Sequence, residues 1–182
     1  VGSQREGEFG GILENRMRFP RSVVKAVREA WPAEKPMFVR ISAQDGIDGG
    51  WTVDDSIIYA SALKDIGADL IDCSSGGFEG GKFSVGPRYQ VALARAVRDG
   101  ARLPTMAVGL IATPDEAEAI LREGHADLVA LGRTALDDPN WPLHARFQLG
   151  GTEDHYADWP RQAGFVVRQK DRALRLRGFA KN

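Results

Sequence analysis

Three short stretches carry the residue types that could hold an anion. Asp127-Leu128-Val129-Ala130-Leu131-Gly132-Arg133 runs four apolar residues into a glycine and then a cation, and Thr105-Met106-Ala107-Val108-Gly109-Leu110 has the same form one unit upstream. Glycine lets backbone approach a ligand closely, and an arginine can donate paired hydrogen bonds to a phosphate. The third stretch is Met37-Phe38-Val39-Arg40-Ile41-Ser42. Strand alternation puts Met37, Val39 and Ile41 on one face and Phe38, Arg40 and Ser42 on the other. Arg40 therefore needs a partner on its face, and Asp45 and Asp72 are the candidates.

The elements that must position these residues follow from periodicity. The run before Gly132 reads as a parallel strand buried on both faces. Strands are expected from about residues 37, 69, 104 and 128, each set off by helical patterns. The first helix is expected from Pro20 to Trp31, with Val23, Val27 and Trp31 as its apolar stripe, Val24 and Ala30 beside them, and Pro32 and Pro36 as its stop. Thr52 caps the second, whose stripe is Val53, Ile57, Ala60 and Leu63 and whose end is Gly67. A third runs roughly from Arg88 to Arg98. Thr113-Pro114-Asp115-Glu116 opens a fourth with three agreeing signals: a threonine cap, proline in the first position and glutamate at the capping-box position. A last short helix is expected at about Leu143 to Leu149. Residues 1–12, Asp45–Gly50 and Gly76–Gly81 read as loops.

Strand, loop and helix thus recur four times. The fold class is α/β, built of βα units around a parallel sheet. Four such strands form either an open doubly wound sheet or one half of a closed eight-stranded barrel. The second arrangement leaves two strand edges to be paired from elsewhere. Two consecutive strands that end in glycine resemble the phosphate site of a TIM barrel, built by the loops after strands seven and eight.

Bulk properties narrow the function classes. The 182 residues are 43% hydrophobic and 27% charged with a net charge of -1, which supports neither a nucleic-acid footprint nor an anionic-membrane patch. The single cysteine, Cys73, excludes an internal disulfide; mid-strand, it is expected to be a buried, inert thiol. No apolar run approaches ~18 residues and no signal-peptide pattern is present, so a cytoplasmic enzyme or enzyme fragment is expected. The opening Val-Gly-Ser lacks a methionine and is not expected to be a native start. The basic run Arg168, Lys170, Arg172, Arg175 and Arg177 reads as a solvated helix face. His125, His144 and His155 read as structural or solvated, Asp72 as a structural carboxylate, and no residue is expected to bind metal.

The ordered segments Gly10-Gly11-Ile12-Leu13-Glu14-Asn15-Arg16, Phe38–Ser42, Leu70-Ile71-Asp72-Cys73-Ser74-Ser75-Gly76-Gly77, Ala107–Ile111 and Ala126–Arg133 resemble the old yellow enzyme family of flavin-dependent ene-reductases, in its thermophilic-like branch. Asp138-Pro139-Asn140-Trp141-Pro142 fits as well. The resemblance covers roughly residues 3 to 165 and implies the C-terminal half of a TIM (β/α)8 barrel that holds FMN. It implies that Arg40 lies near the pyrimidine edge of the flavin, that Gly109 meets the phosphate, and that Gly132 and Arg133 bind the same anion. The implied reaction uses NAD(P)H to reduce FMN and then passes hydride to an activated alkene such as an enone. Ser3, Gly7 and Ile12 depart from the family pattern in the first loop. The family's substrate-anchoring histidine pair, its flavin-contacting loop after strand one and its flavin-holding glutamine lie upstream of this chain, so no catalytic residue is assigned here. Residues 1–182 are expected to form a single unit, with a basic tail from about 150 to 182 and the N-terminal half of the barrel absent. A non-catalytic half-barrel module that binds phosphate or flavin, pairing with itself or with a separate N-terminal chain, is the alternative. A basic tail reaching a neighbouring subunit, and an unrelated phosphate-binding isomerase or lyase fragment, also remain open.

Overall fold

A computed structural model describes residues 5–76 and 80–178. Ser3 and the centre of the glycine-rich loop (Gly77, Phe78 and Glu79) lie outside the described residues. A 3-10 turn, Gly7–Phe9, precedes helix α1 (Leu13–Ala30). Strand β1 (Phe38–Ser42), helix α2 (Val53–Ile66), strand β2 (Leu70–Ser74), helix α3 (Val91–Ala101), strand β3 (Thr105–Ala107), helix α4 (Pro114–Arg122) and strand β4 (Leu128–Val129) follow. Helices α5 (Arg133–Asp137), α6 (Trp141–Gln148) and α7 (Arg161–Leu176) complete the chain.

The four strands form one parallel sheet in the order β1-β2-β3-β4. Arg40 stands opposite Asp72, Asp72 opposite Met106, and Met106 opposite Leu128. Helices cover one face of this sheet. There Ile71, Cys73, Thr105 and Ala107 are fully buried with Leu63 of α2, Val97 of α3 and Ile120 of α4. On the other face Phe38 is 49% and Leu128 41% exposed. The expected double burial of the last strand therefore fails: the open face has no covering layer among the described residues, and Leu128 lies on it.

Local chemistry explains the helix boundaries. At α2 the Thr52 hydroxyl accepts from the Asp55 amide while the Asp55 carboxylate accepts from the Thr52 amide. Thr113 and Glu116 form the same reciprocal cap on α4. Each such box satisfies two amides that the first helical turn leaves unpaired. Helix α1 starts at Leu13 and not at Pro20, because the Arg16 amide already donates to the Ile12 carbonyl and the Asn15 side chain donates to Gly7. Its stripe also differs from expectation: Val23, Val27 and Trp31 are nearly half exposed, and Met17 and Val24 make the buried contacts. Helix α3 begins at Val91 and not at Arg88, since Arg88 has φ +61°, outside the helical region. It then continues through Gly100, where a Cβ would lie 2.7 Å from Ile57 of α2. Glycine here permits the close approach of two helices. Helix α5 has no counterpart in the sequence reading.

Candidate anion site at the strand ends

The polar residues singled out in the sequence converge at the C-terminal ends of the strands. A cavity of about 210 Å³ is lined by Arg40, Ser75, Gln90, Gly109, Gly132 and Arg133, among others. All four expected site residues (Arg40, Gly109, Gly132 and Arg133) thus share one cavity. It has the position at which open parallel sheets and barrels place ligands, in the loops that follow the strands.

Arg40 reaches this cavity from the open face. Its Nη1 donates to Oδ2 of Asp72 at 2.7 Å, so Asp72, and not Asp45, is its ion-pair partner. Asp45 instead is 8% exposed and accepts from the Trp51 amide within the loop after β1. The Trp51 indole donates to Ser56, which in turn donates to the Ala43 carbonyl, so that loop is fastened to α2.

Gly109 follows β3 with φ +114°, and Leu110 after it has φ +52°. Two successive residues at positive φ make a tight turn at the cavity, the kind of backbone from which anion-binding amides are built. A Cβ on Gly109 would sit 2.9 Å from Oε1 of Gln90 and 3.1 Å from Tyr89, so only glycine fits. Gly132, by contrast, has no protein atom within 4 Å of an added Cβ, which leaves its backbone open to an approaching group. The Thr134 hydroxyl donates to the Ile111 carbonyl and ties the loop after β4 to the loop after β3. Arg133 is exposed and makes no ion pair among the described residues.

The donor set is therefore cationic, with two guanidinium groups against the single carboxylate of Asp72. That chemistry fits a phosphate-bearing group and does not fit a cation. Sequence reasoning missed Ser75, Tyr89 and Gln90. The sequence pattern puts Gln90 inside a helix that in the structure starts three residues later, at Val91, and its one available signal is an amide at the head of an otherwise apolar helix face.

The remaining polar groups lie elsewhere. Cys73 is fully buried, and burial, with the Asp72 carboxylate beside it, pushes its thiol up to about 12, so thiolate chemistry is suppressed. His144 pairs with Asp138 at 2.6 Å, His155 stacks on Phe147, and His125 contacts Arg95; none lines the cavity. Arg168 of α7 pairs with Asp154, and Tyr156 donates to Asp171, so part of the basic tail is neutralised locally. No helix among the described residues is long and apolar enough to cross a membrane.

Half of a (β/α)8 barrel with a cavity lined by two arginines at its strand ends is the class that fold and site together define. The chain belongs to the NADH:flavin oxidoreductase / NADH oxidase family, whose model matches residues 2–150. It is 47% identical over 152 residues to an NADPH dehydrogenase of Geobacillus sp. (strain WCH70), covering 84% of this chain and 44% of that protein. The chain thus spans less than half the length of the curated relatives it matches. A complex of 2-naphthoyl-CoA reductase with 2-naphthoyl-CoA has a TM-score of 0.71 at 27% identity, covering 81% of this chain and 23% of that one. Morphinone reductase has a TM-score of 0.61 at 26% identity, covering 86% and 44%. The four βα units are those of the C-terminal half of a TIM barrel. The matched region ends before α7.

Proposed function

We propose that this chain is the FMN-binding half of an NAD(P)H-dependent flavin oxidoreductase that reduces activated carbon–carbon double bonds. One observation carries the reading: Arg133, with no ion-pair partner among the described residues, shares a cavity with Gly109, Gly132 and Arg40 at the strand ends. In this reading Arg133 and the amides around Gly109 and Gly132 hold the phosphate, by charge-assisted and backbone hydrogen bonds. Arg40, fixed by Asp72, presents positive charge to the ring system, where negative charge accumulates on reduction. When bound, the flavin supplies hydride transfer; the chain supplies binding, orientation and charge. The groups that polarise an alkene come from outside these residues, and we assign them to a missing N-terminal half of the barrel that also covers the open sheet face.

The test is a titration of the chain with FMN and with riboflavin, followed by flavin fluorescence. The reading expects FMN to bind more tightly than riboflavin, and Arg133→Ala to remove that preference. Equal affinities in the parent chain would overturn the phosphate assignment. Restored NAD(P)H-dependent reduction of an enone on adding an N-terminal half-barrel supports the enzymatic part of the reading, and turnover with NAD(P)H but no enone reduction refutes the substrate class.

A further inference from the structure

Gln90 stands between two of the loops that build the cavity. It is 3% exposed and is the residue before α3, where its side chain makes no capping bond to the helix. Its Nε2 donates to both the carbonyl and the hydroxyl of Ser75, at 2.8 and 3.0 Å, which uses both hydrogens of the amide on the loop after β2. Its Oε1 turns to the other side, toward Gly109 in the loop after β3. Gln90 and Tyr89 together fill the space that a side chain at position 109 would need.

We propose that Gln90 is a positioning residue for the anion site: it acts through Gly109 and Leu110, holding their backbone amides toward the cavity, and it does not itself need to touch the ligand. The inference rests on the phosphate reading above for its functional consequence. Its structural part stands on geometry alone. Leu110 is held at a positive φ that a branched side chain rarely adopts, so some neighbour must fix this turn. On one side Thr134 fastens the Ile111 carbonyl. On the other, the side chain of Gln90 is locked by Ser75, and its Oε1 and Cβ occupy the space beside Gly109 that a side chain there would need. The loops after β2, β3 and β4 are thereby joined in series, with Gln90 as the buried link between the first two.

The experiment uses the 182-residue chain with Gln90→Met, which keeps the length of the side chain and removes its hydrogen bonds, and Ser75→Ala, which removes one acceptor. Without ligand, the backbone order parameters of residues 109–111 from NMR relaxation should fall from about 0.85 to below about 0.6 in Gln90→Met and less in Ser75→Ala, with α2 and α4 unchanged. With ligand, Gln90→Met should weaken FMN about tenfold and leave riboflavin affinity unaltered, a split that general destabilisation does not produce. Unaltered order parameters at residues 109–111 in Gln90→Met overturn the proposal. If Gln90→Met does not fold, Ser75→Ala decides the same question by the same measurement. Loss of phosphate preference in Arg133→Ala but not in Gln90→Met refutes the positioning role alone. A parent chain without phosphate preference refutes the anion reading, and the order parameters then decide the structural part separately.

Discussion

Arg40 and Asp72 stand directly opposite each other in the parallel register of β1 and β2, and their side chains meet at 2.7 Å on the open face of the sheet. The two partners are unequally exposed: the Arg40 side chain is 57% accessible and that of Asp72 14%. The second carboxylate oxygen, Oδ1, is buried with no hydrogen-bond partner among the described residues. The pair is best seen as a sheltered carboxylate compensated by a cation that faces the cavity.

That asymmetry sets an order of costs. Arg40→Leu leaves the carboxylate without its ion-pair partner among the described residues and should lower stability by about 1–3 kcal/mol, the range for a stranded polar group. Asp72→Asn removes the charge and should cost under about 1 kcal/mol. The double variant should recover most of the loss from Arg40→Leu. Urea unfolding of all four proteins gives the cycle, and equal costs for the two single changes would contradict the assignment.

Arg133 bears the largest expected effect on ligand affinity. Charge-assisted hydrogen bonds contribute about 1.5–3 kcal/mol, so Arg133→Ala should weaken FMN by roughly 10- to 100-fold. Arg133→Lys keeps the charge without the fork and should fall between. Isothermal titration would measure the series, and a lysine variant no better than alanine would argue against an anion at this position.

Thr105 is fully buried on β3, and its hydroxyl has no hydrogen-bond partner among the described residues. Replacing an unsatisfied hydroxyl by a methyl removes its desolvation cost. Thr105→Val should therefore be neutral or stabilising by up to about 1 kcal/mol, against the usual trend for core substitutions. A lowered melting temperature would reveal that the hydroxyl has a role the static contacts miss.

The cap on α4 makes stability depend on pH. Hydrogen bonds from the amides of Ala112 and then Thr113 hold the Glu116 carboxyl below its ordinary value. The unfolded chain therefore takes up a proton at this site before the folded one does. The contribution is complete above the ordinary glutamate range and is lost as pH falls through the lowered folded value. Glu116→Gln should be less stable than the parent at neutral pH, with the gap closing as pH falls below the ordinary glutamate range. A gap that stays constant across chemical denaturation at several pH values would exclude the linkage.

The legible parts of the fold were those decided by local chemistry. Thr113-Pro114-Asp115-Glu116 announces its helix because the capping bonds lie within four residues, and the four strands are visible because their apolar runs end in glycine or polar loops. The first helix shows the opposite case. Val23, Val27 and Trp31 are spaced to be buried, yet burial depends on which neighbour the helix meets; here the buried residues are Met17 and Val24. The third helix, expected to end near Arg98, continues through Gly100, whose contact with Ile57 only the packed pair of helices reveals. In the candidate site Arg40, Gly109, Gly132 and Arg133 were visible from residue type and position after a strand. Gln90 was not, because its importance comes from lying between Ser75 and Gly109, which are separated by most of a βα unit in sequence.

The sheet is laid down in the same order as the chain, and each strand pairs with the one made just before it. Arg40 and Asp72 are 32 residues apart, and the Asp127 carboxylate accepts from the Thr105 amide across 22. Each closure spans one βα unit, so every strand can pair with its predecessor, although parallel pairing of this kind is slow to form. A nascent chain emerging from the ribosome can therefore add one unit at a time, without waiting for its C-terminal end. Among the four strands the two-residue β4 has the least backbone pairing to hold it in place.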